Sequence, residues 1–298
     1  MTQPSCVGVW GGKMMSLSLY LACIVAAQAL LWRWVYDENS FCVRTIASWI
    51  RRRPARFSAV VANAGPQFAT YGIPATEREP LLLCWIATNI FVPLHHALGA
   101  GFAMAAVRYG SEGCLRLALS FEVGEDVLHY LQMAWTYMYP ERGIAPWKYV
   151  DGKSWAFIGV HHLIGLLAGS AAFLTEVAAW VEVQQFVALL LAAGLGSALK
   201  TPLELVQDLG PPSALGRVGL LLEILAFLLL CAIRLFVYFP TVASLLQRAS
   251  ADLSPTATYL YGGVLLGIAP VFNLASVVLY APGVLERVRL QRAPIKDD

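Results

Sequence analysis

Residues 115–138 read LRLALSFEVGEDVLHYLQMAWTYM. As a helix this stretch is about 36 Å long at 1.5 Å per residue, enough to cross a hydrocarbon core of about 30 Å. It nevertheless carries Glu122, Glu125, Asp126 and His129 in its middle. Positions 122, 126 and 129 fall at i, i+4 and i+7, with 125 beside them, so the three acids and the imidazole share one helical face. Ionisable groups at such a depth are costly and turn toward a bundle interior or a wet cavity. The stretch therefore predicts a helix packed among others, with its polar face inward.

The rest of the chain fits that setting. Of 298 residues, 58% are hydrophobic and 13% charged, with a mean hydropathy of +0.62, against about 25% charged in soluble domains. This composition excludes an ordinary soluble globular protein. Six further apolar segments of span length lie at about 14–33, 81–107, 155–174, 178–195, 218–238 and 258–280. The expected fold is an all-α polytopic membrane protein, a bundle of about seven transmembrane helices. The first segment ends in Ala27-Gln28-Ala29, like a signal-peptide cleavage site, and is read as a retained anchor. The fourth and fifth are separated by so few residues that one of them could be a half-span.

Fifteen Lys and Arg residues fall on one side of this topology and four on the other. Cytoplasmic loops are the positive ones, which places the N-terminus outside or in the lumen and the C-terminus in the cytosol or its equivalent. A net charge of +2 with no basic module argues against nucleic acid. The six cysteines form no C-x-x-C pair, hence neither a zinc site nor a disulfide framework. Between Arg44 and Arg56 the chain has five arginines, including Arg51, Arg52, Arg53 and Arg56, with Trp49 and no acid. Such a segment suits the surface of an anionic leaflet, either anchoring the topology or recruiting lipid headgroups.

All five histidines, His95, His96, His129, His161 and His162, fall inside expected spans. Two adjacent pairs have ring directions about 100° apart, so the spacing predicts that only one ring of each pair points straight at a common target. A carboxylate beside an imidazole orients it and stabilises its cation, and imidazole is a nucleophile toward acyl groups. A bundle that gathers His96, Asp126 and His162, or His161 in its place, suits acyl transfer to an alcohol or amine in a lipid-accessible site, with His162 the expected nucleophile. Interhelical hydrogen bonding is the bland alternative. Arg234, deep in the sixth segment, requires a partner; Asp126 or Glu122 is one reading and backbone carbonyls or outward snorkelling the other, with Glu223 about 16 Å away along the helix and too far. Asn273, beside Pro270, is expected to satisfy freed backbone groups. Gly99-Ala100-Gly101 and Gly262-Gly263 read as close helix packing. The histidine inventory lacks the repeated His-x-x-His-His boxes of membrane di-iron enzymes, so no metal is expected; a bis-histidine haem is the remaining option of that kind. No Gly-rich phosphate loop, G-x-S-x-G or H-E-x-x-H occurs, so no nucleotide cofactor is expected.

The order of these residues resembles the TLC-domain family, the membrane domain of ceramide synthases and several lipid-regulating proteins. The resemblance runs over about 81–281: His96 in His-His-Ala-Leu-Gly-Ala-Gly, Asp126 in Gly-Glu-Asp-Val-Leu, the pair His161-His162 followed by Leu-Ile, Thr201-Pro202-Leu203-Glu204, Arg234, and Asn273 in Val-Phe-Asn-Leu. It implies three regions: a leading anchor with its basic segment at 1–80, a TLC-like domain at 81–281 and a basic cytosolic tail at 282–298. It also implies lipid handling, in the endoplasmic reticulum or alternatively the mitochondrial inner membrane. Ceramide-synthase-like acyl transfer would use His161, His162, Asp126 and His96 as catalytic residues and acyl-CoA as co-substrate. Glu122, Glu125, His129, Arg234, Glu204 and Asn273 would contact the substrate. Ceramide synthases continue with His-Asp-x-x-Asp before Leu-Glu, where this chain has Gly196, Ser197 and Lys200. That departure supports the second reading, a non-catalytic TLC-fold accessory or lipid-binding subunit whose partners are membrane lipids and other membrane subunits.

Overall fold

The computed structural model describes residues 19, 22–31, 40–52, 54, 57, 58, 61, 72–142, 148, 152–174, 176–199, 203 and 214–292. Among these every regular element is helical, with no strand. The helices are α1 (Ala22–Leu31), α2 (Phe41–Arg51), α3 (Ala75–Tyr109), α4 (Glu112–Met138), α5 (Gly152–Leu174), α6 (Val181–Ala198), α7 (214–252) and α8 (255–292). Arg53, Arg56 and Glu204 lie outside the described residues.

Apart from Trp180, the described residues of the seven segments expected to span are helical. Among the described residues two stretches, Val218–Asp252 and Pro255–Arg289, are long and apolar enough to cross a membrane. Helix α4 carries the acids of its middle, and α6 has only 18 residues, with Glu182, Gln184 and Gln185 among them. The last two helices run well past their expected ends, α7 to Asp252 and α8 to Arg292, because their later turns remain amphipathic: Val242, Leu245 and Ala249 are buried on one face of α7. Large apolar side chains on the outer faces of α5, α7 and α8, such as Leu167, Leu225, Leu228, Val271, Leu274 and Val278, are exposed.

Helix α2 is capped by Ser40, whose Oγ accepts from Val43 N at 3.1 Å. Its apolar face, Val43, Ala47 and Ile50, is buried with Leu82, Leu83 and Ile86 of α3. The exposed side of α2 carries Arg44, Arg51 and Arg52, with Phe41 and Trp49 also exposed. Arg51 Nη2 lies 3.5 Å from Glu79 Oε1 at the surface. Any contact of α2 with a leaflet is thus left to its arginines and exposed aromatics, since its apolar stripe is already packed.

Helices α3 and α4 form an antiparallel hairpin. Gly110 ends α3 in the left-handed region, at φ 61°, where its N–H reaches Ala106 O and no side chain is needed. Ser111 then caps α4, accepting from Cys114 N at 3.3 Å. Buried alanines at 100, 103, 106 and 118 keep the pair close, and α6 packs on α3 through Val183, Phe186, Val187 and Leu191.

Helix α5 reaches α4 through two glycines one turn apart. A Cβ on Gly169 would stand 2.7 Å from Val123 Cγ2, and one on Gly165 would collide with the Asp126 carboxylate. This G-x-x-x-G is a close-approach motif. Of the glycines expected to pack closely, Gly99 does, with Leu191 and Glu122 Oε1 about its Cβ position at 3.5 and 3.6 Å, whereas Gly101 and Gly263 face open space. Helix α1 docks on the opposite side of α4: Gln28 Nε2 donates to Phe121 O at 3.1 Å, and a Cβ on Gly124 would meet Ile24 Cγ2 at 2.6 Å.

Helices α7 and α8 each contain a π-helical turn, Ala232–Val237 and Gly263–Ile268. The two are joined by Tyr238, whose buried hydroxyl donates to Leu265 O at 2.7 Å. Removing that hydroxyl leaves a buried carbonyl unpaired, which costs about 1–3 kcal/mol, so Tyr238→Phe is expected to lower the thermal unfolding midpoint in mild detergent. Gly169→Ala is expected to lower it by overpacking, typically about 1–3 kcal/mol. Gly101→Ala, with open space at its Cβ, should leave it unchanged or raise it slightly through helix propensity. Equal behaviour of the two alanine variants would contradict the close approach of α5.

Candidate functional site

Helices α3, α4 and α5 each turn ionisable side chains inward, and the structure joins seven of them into one buried cluster. It begins at Glu122, whose Oε1 lies 3.0 Å from His96 Nδ1 and 3.7 Å from His95 Nε2. His95 Nε2 is 2.8 Å from Glu125 Oε2, and Glu125 Oε1 is 3.9 Å from His129 Nε2. His129 Nδ1 and His162 Nε2 share a hydrogen bond at 3.0 Å. His162 Nδ1 closes the sequence by hydrogen bonding to Asp126 Oδ1. Carboxylates and imidazoles alternate through most of it, the arrangement in which buried acids find donors.

The order of contacts couples the tautomers of His162 and His129. With Asp126 ionised, His162 carries its proton on Nδ1, its Nε2 becomes an acceptor, and His129 must donate from Nδ1. Both ring nitrogens of His162 are thereby committed. Tyr130 secures the same level of α5, its hydroxyl donating to Gly159 O. His162 is thus engaged at both nitrogens, and it does not line the central cavity.

Its neighbour differs. His161, an exposed residue, borders an open cavity of about 480 Å³ lined by residues of α3 to α8, within the size range of ligand pockets. The His161 ring lies 5.4 Å from that of His162 and 5.9 Å from Phe272, centroid to centroid. It makes no hydrogen bond among the described residues. His96, Glu122, Asp126, Arg234 and Asn273 also border the cavity, and the remaining wall is mostly apolar. Arg234, in the π turn of α7, donates from Nη1 to Asn273 Oδ1 of α8 at 2.9 Å. Arg234 Nε and Asn273 Nδ2 are buried donors with no acceptor among the described residues.

Several sequence expectations are refined here. The adjacent pair His95-His96 does converge on one atom, Glu122 Oε1, because one ring uses its distal Nε2 and the other its proximal Nδ1. The pair His161-His162 diverges as expected. Asp126 meets His162, while His96 takes Glu122 instead. Arg234 pairs with neither Asp126 nor Glu122 but with Asn273, which serves a side chain rather than freed backbone. Glu223 lies 3.9 Å from Arg287 Nε. Of the expected substrate contacts, Glu122, Arg234 and Asn273 border the cavity, whereas Glu125 and His129 sit behind it in the cluster. His95 was not singled out for the site; its place beside His96 on the same buried segment was the available signal. Gly165 and Gly169 were also missed, although their i, i+4 spacing on the histidine-bearing helix is legible.

Comparison with family models, curated proteins and solved structures finds no match to this chain.

The Asp126–His162 contact lies against Gly165, where a β-carbon would collide with the Asp126 carboxylate. Asp126→Ala and His162→Ala, made singly and together, are expected to couple by about 0.5–3 kcal/mol in unfolding free energy, as residues of one buried network do. Additive effects in that double-mutant cycle would show that the two side chains do not depend on each other.

Proposed function

We propose that this chain is an integral membrane protein of the TLC type, a bundle of about seven spans, that transfers a fatty-acyl group from acyl-CoA to the hydroxyl or amine of a lipid. One observation carries the reading: His161 presents an unengaged imidazole to a largely apolar cavity, opposite two buried donors without acceptors. The exposed apolar faces of α5, α7 and α8 support a lipid surrounding. The charge asymmetry of the loops favours a C-terminus in the cytosol, with the endoplasmic reticulum as the membrane.

In this reading the acyl chain lies along the apolar walls, and its thioester carbonyl sits between His161 and the Arg234–Asn273 pair. A neutral His161 nitrogen attacks the carbonyl carbon; the new C–N bond forms as the C–S bond breaks, and the CoA sulfur leaves with the ring's proton. Arg234 and Asn273 supply donors for the carbonyl oxygen as its charge grows. The lipid hydroxyl or amine then attacks the acyl-imidazole, the C–N bond breaks, and the acceptor's proton returns to the ring. His162, held by Asp126 and His129, fixes the backbone turn that aims His161.

A non-catalytic lipid-binding or accessory role is favoured by one different observation. A Cβ on Gly196, where ceramide synthases carry histidine, would stand 3.3 Å from Ala226 O, so α7 backbone fills the space of that side chain.

The decisive measurement offers a long-chain acyl-CoA to purified protein in mild detergent with lipid extract and follows free CoA in a single turnover. Release by the wild type, lost at least 100-fold in His161→Ala and reduced less in His162→Ala, is expected. No release from the wild type would transfer the assignment to the non-catalytic role. Equal release from wild type and His161→Ala would remove His161 from the chemistry.

A further inference from the structure

We infer that His95, His96 and Glu122 form a three-ligand binding site for a divalent first-row metal ion, with zinc the best fit. One ligand atom from each of the three lies within 4.8 Å of the others. The individual separations are 3.0 Å for His96 Nδ1 to Glu122 Oε1, 3.7 Å for His95 Nε2 to Glu122 Oε1 and 2.8 Å for His95 Nε2 to Glu125 Oε2. Zinc holds imidazole and carboxylate donors at about 2.0–2.2 Å in a tetrahedron, whose edges are then about 3.4 Å. The 3.0 and 3.7 Å separations about Glu122 bracket that edge, and three protein ligands leave the fourth position open.

Three further observations separate this set from a group of mutually paired acids and imidazoles. First, His95 and His96 adjoin on one helix yet reach the same oxygen, one through Nε2 and the other through Nδ1. Second, the His95 side chain is 10% exposed and its Nε2 makes no hydrogen bond, because the Glu125 carboxylate, although 2.8 Å away, lies off the N–H direction. The Nε2 lone pair is therefore left available to a cation bound beside that carboxylate. Third, Glu122 and Glu125 bring two carboxylates to one buried place with no lysine or arginine paired to them among the described residues, and a divalent ion would neutralise both.

The surroundings match the rest of such a site. Glu125 Oε1 lies 3.9 Å from His129 Nε2, and His129 shares a hydrogen bond with His162, which meets Asp126, so the rest of the polar cluster adjoins the site without supplying a ligand. His96 and Glu122 border the central cavity, leaving a coordination position open to water or to a substrate oxygen. Imidazole and carboxylate donors without thiolate exclude soft-metal selectivity and suit zinc, iron or manganese. The site uses none of the groups assigned to the acyl-transfer step, so it stands or falls separately from that reading.

The test uses the full chain purified in mild detergent. After a chelator wash and gel filtration, elemental analysis is expected to find about one zinc per chain, or one iron or manganese in its place, each of which supports the site. Protein stripped with a stronger chelator should regain the ion, and reloading with Co²⁺ should produce visible d–d absorption and raise the thermal midpoint. Glu122→Gln should lower metal content at least tenfold, whereas His161→Ala should retain it while losing CoA release. Wild-type protein that holds under a tenth of an equivalent of any such metal, and shows neither d–d absorption nor a stability shift with Co²⁺ or Zn²⁺, would overturn the assignment. So would a Glu122→Gln variant that keeps the full complement.

Discussion

Burying three carboxylates on one helix sets the terms for everything around it. Glu125 and Asp126 are buried, and Glu122 sits only partly open to the cavity. An isolated buried carboxylate is prohibitively expensive, and a paired one is tolerable only when its remaining lone pairs also find donors. The partners come from outside α4, with His95 and His96 on α3 and His162 on α5, so the acids dictate which two helices flank α4 and at what height. Backbone packing answers the same demand. Gly99 on α3 lets Glu122 lie across it, and Gly165 on α5 leaves room for Asp126 and for no β-carbon.

The other half of the molecule is organised by a different device. Helices α7 and α8 are long and apolar, and each would be a featureless rod without its π turn. A π turn widens the helix by one residue and changes the direction of the side chains that follow. Arg234 projects from the first of these turns toward Asn273, and Tyr238 at its end is hydrogen-bonded to Leu265 in the second. The two irregular turns thus lie face to face across the cavity from His161. Polar groups are delivered to one place in otherwise apolar helices, as buried polar contacts between helices require.

Much of this was legible in the sequence, and the rest was not for identifiable reasons. Helical periodicity showed that Glu122, Asp126 and His129 share a face, and the improbability of five histidines within apolar segments pointed to a common interior. The specific pairings were not legible. Whether Glu122 takes His95 or His96 depends on side-chain reach and on which ring nitrogen faces inward, neither of which spacing encodes. A carboxylate was one expected partner for Arg234 because charge is the visible property of a sequence; that the arginine finds an amide on α8 depends on the π turn, and nothing in Ala-Ile-Arg-Leu-Phe-Val announces one. The glycines of α5 were legible in principle, since their spacing is that of a close helix contact.

The division of labour between His161 and His162 follows from helix geometry more than from chemistry. Two adjacent imidazoles on a helix diverge by about 100°, so a pair placed at the rim of a polar cluster must send one ring into it and the other out. His162 spends both nitrogens on Asp126 and His129 and is thereby immobilised. His161, one residue away on the same turn, makes no hydrogen bond among the described residues. On α3 the same adjacency has the opposite result, because Glu122 is near enough for both rings to turn back toward it. The same dipeptide is therefore used once to gather donors around a point and once to separate a hydrogen-bonded ring from an unengaged one, and the difference lies in where the carboxylates of α4 stand.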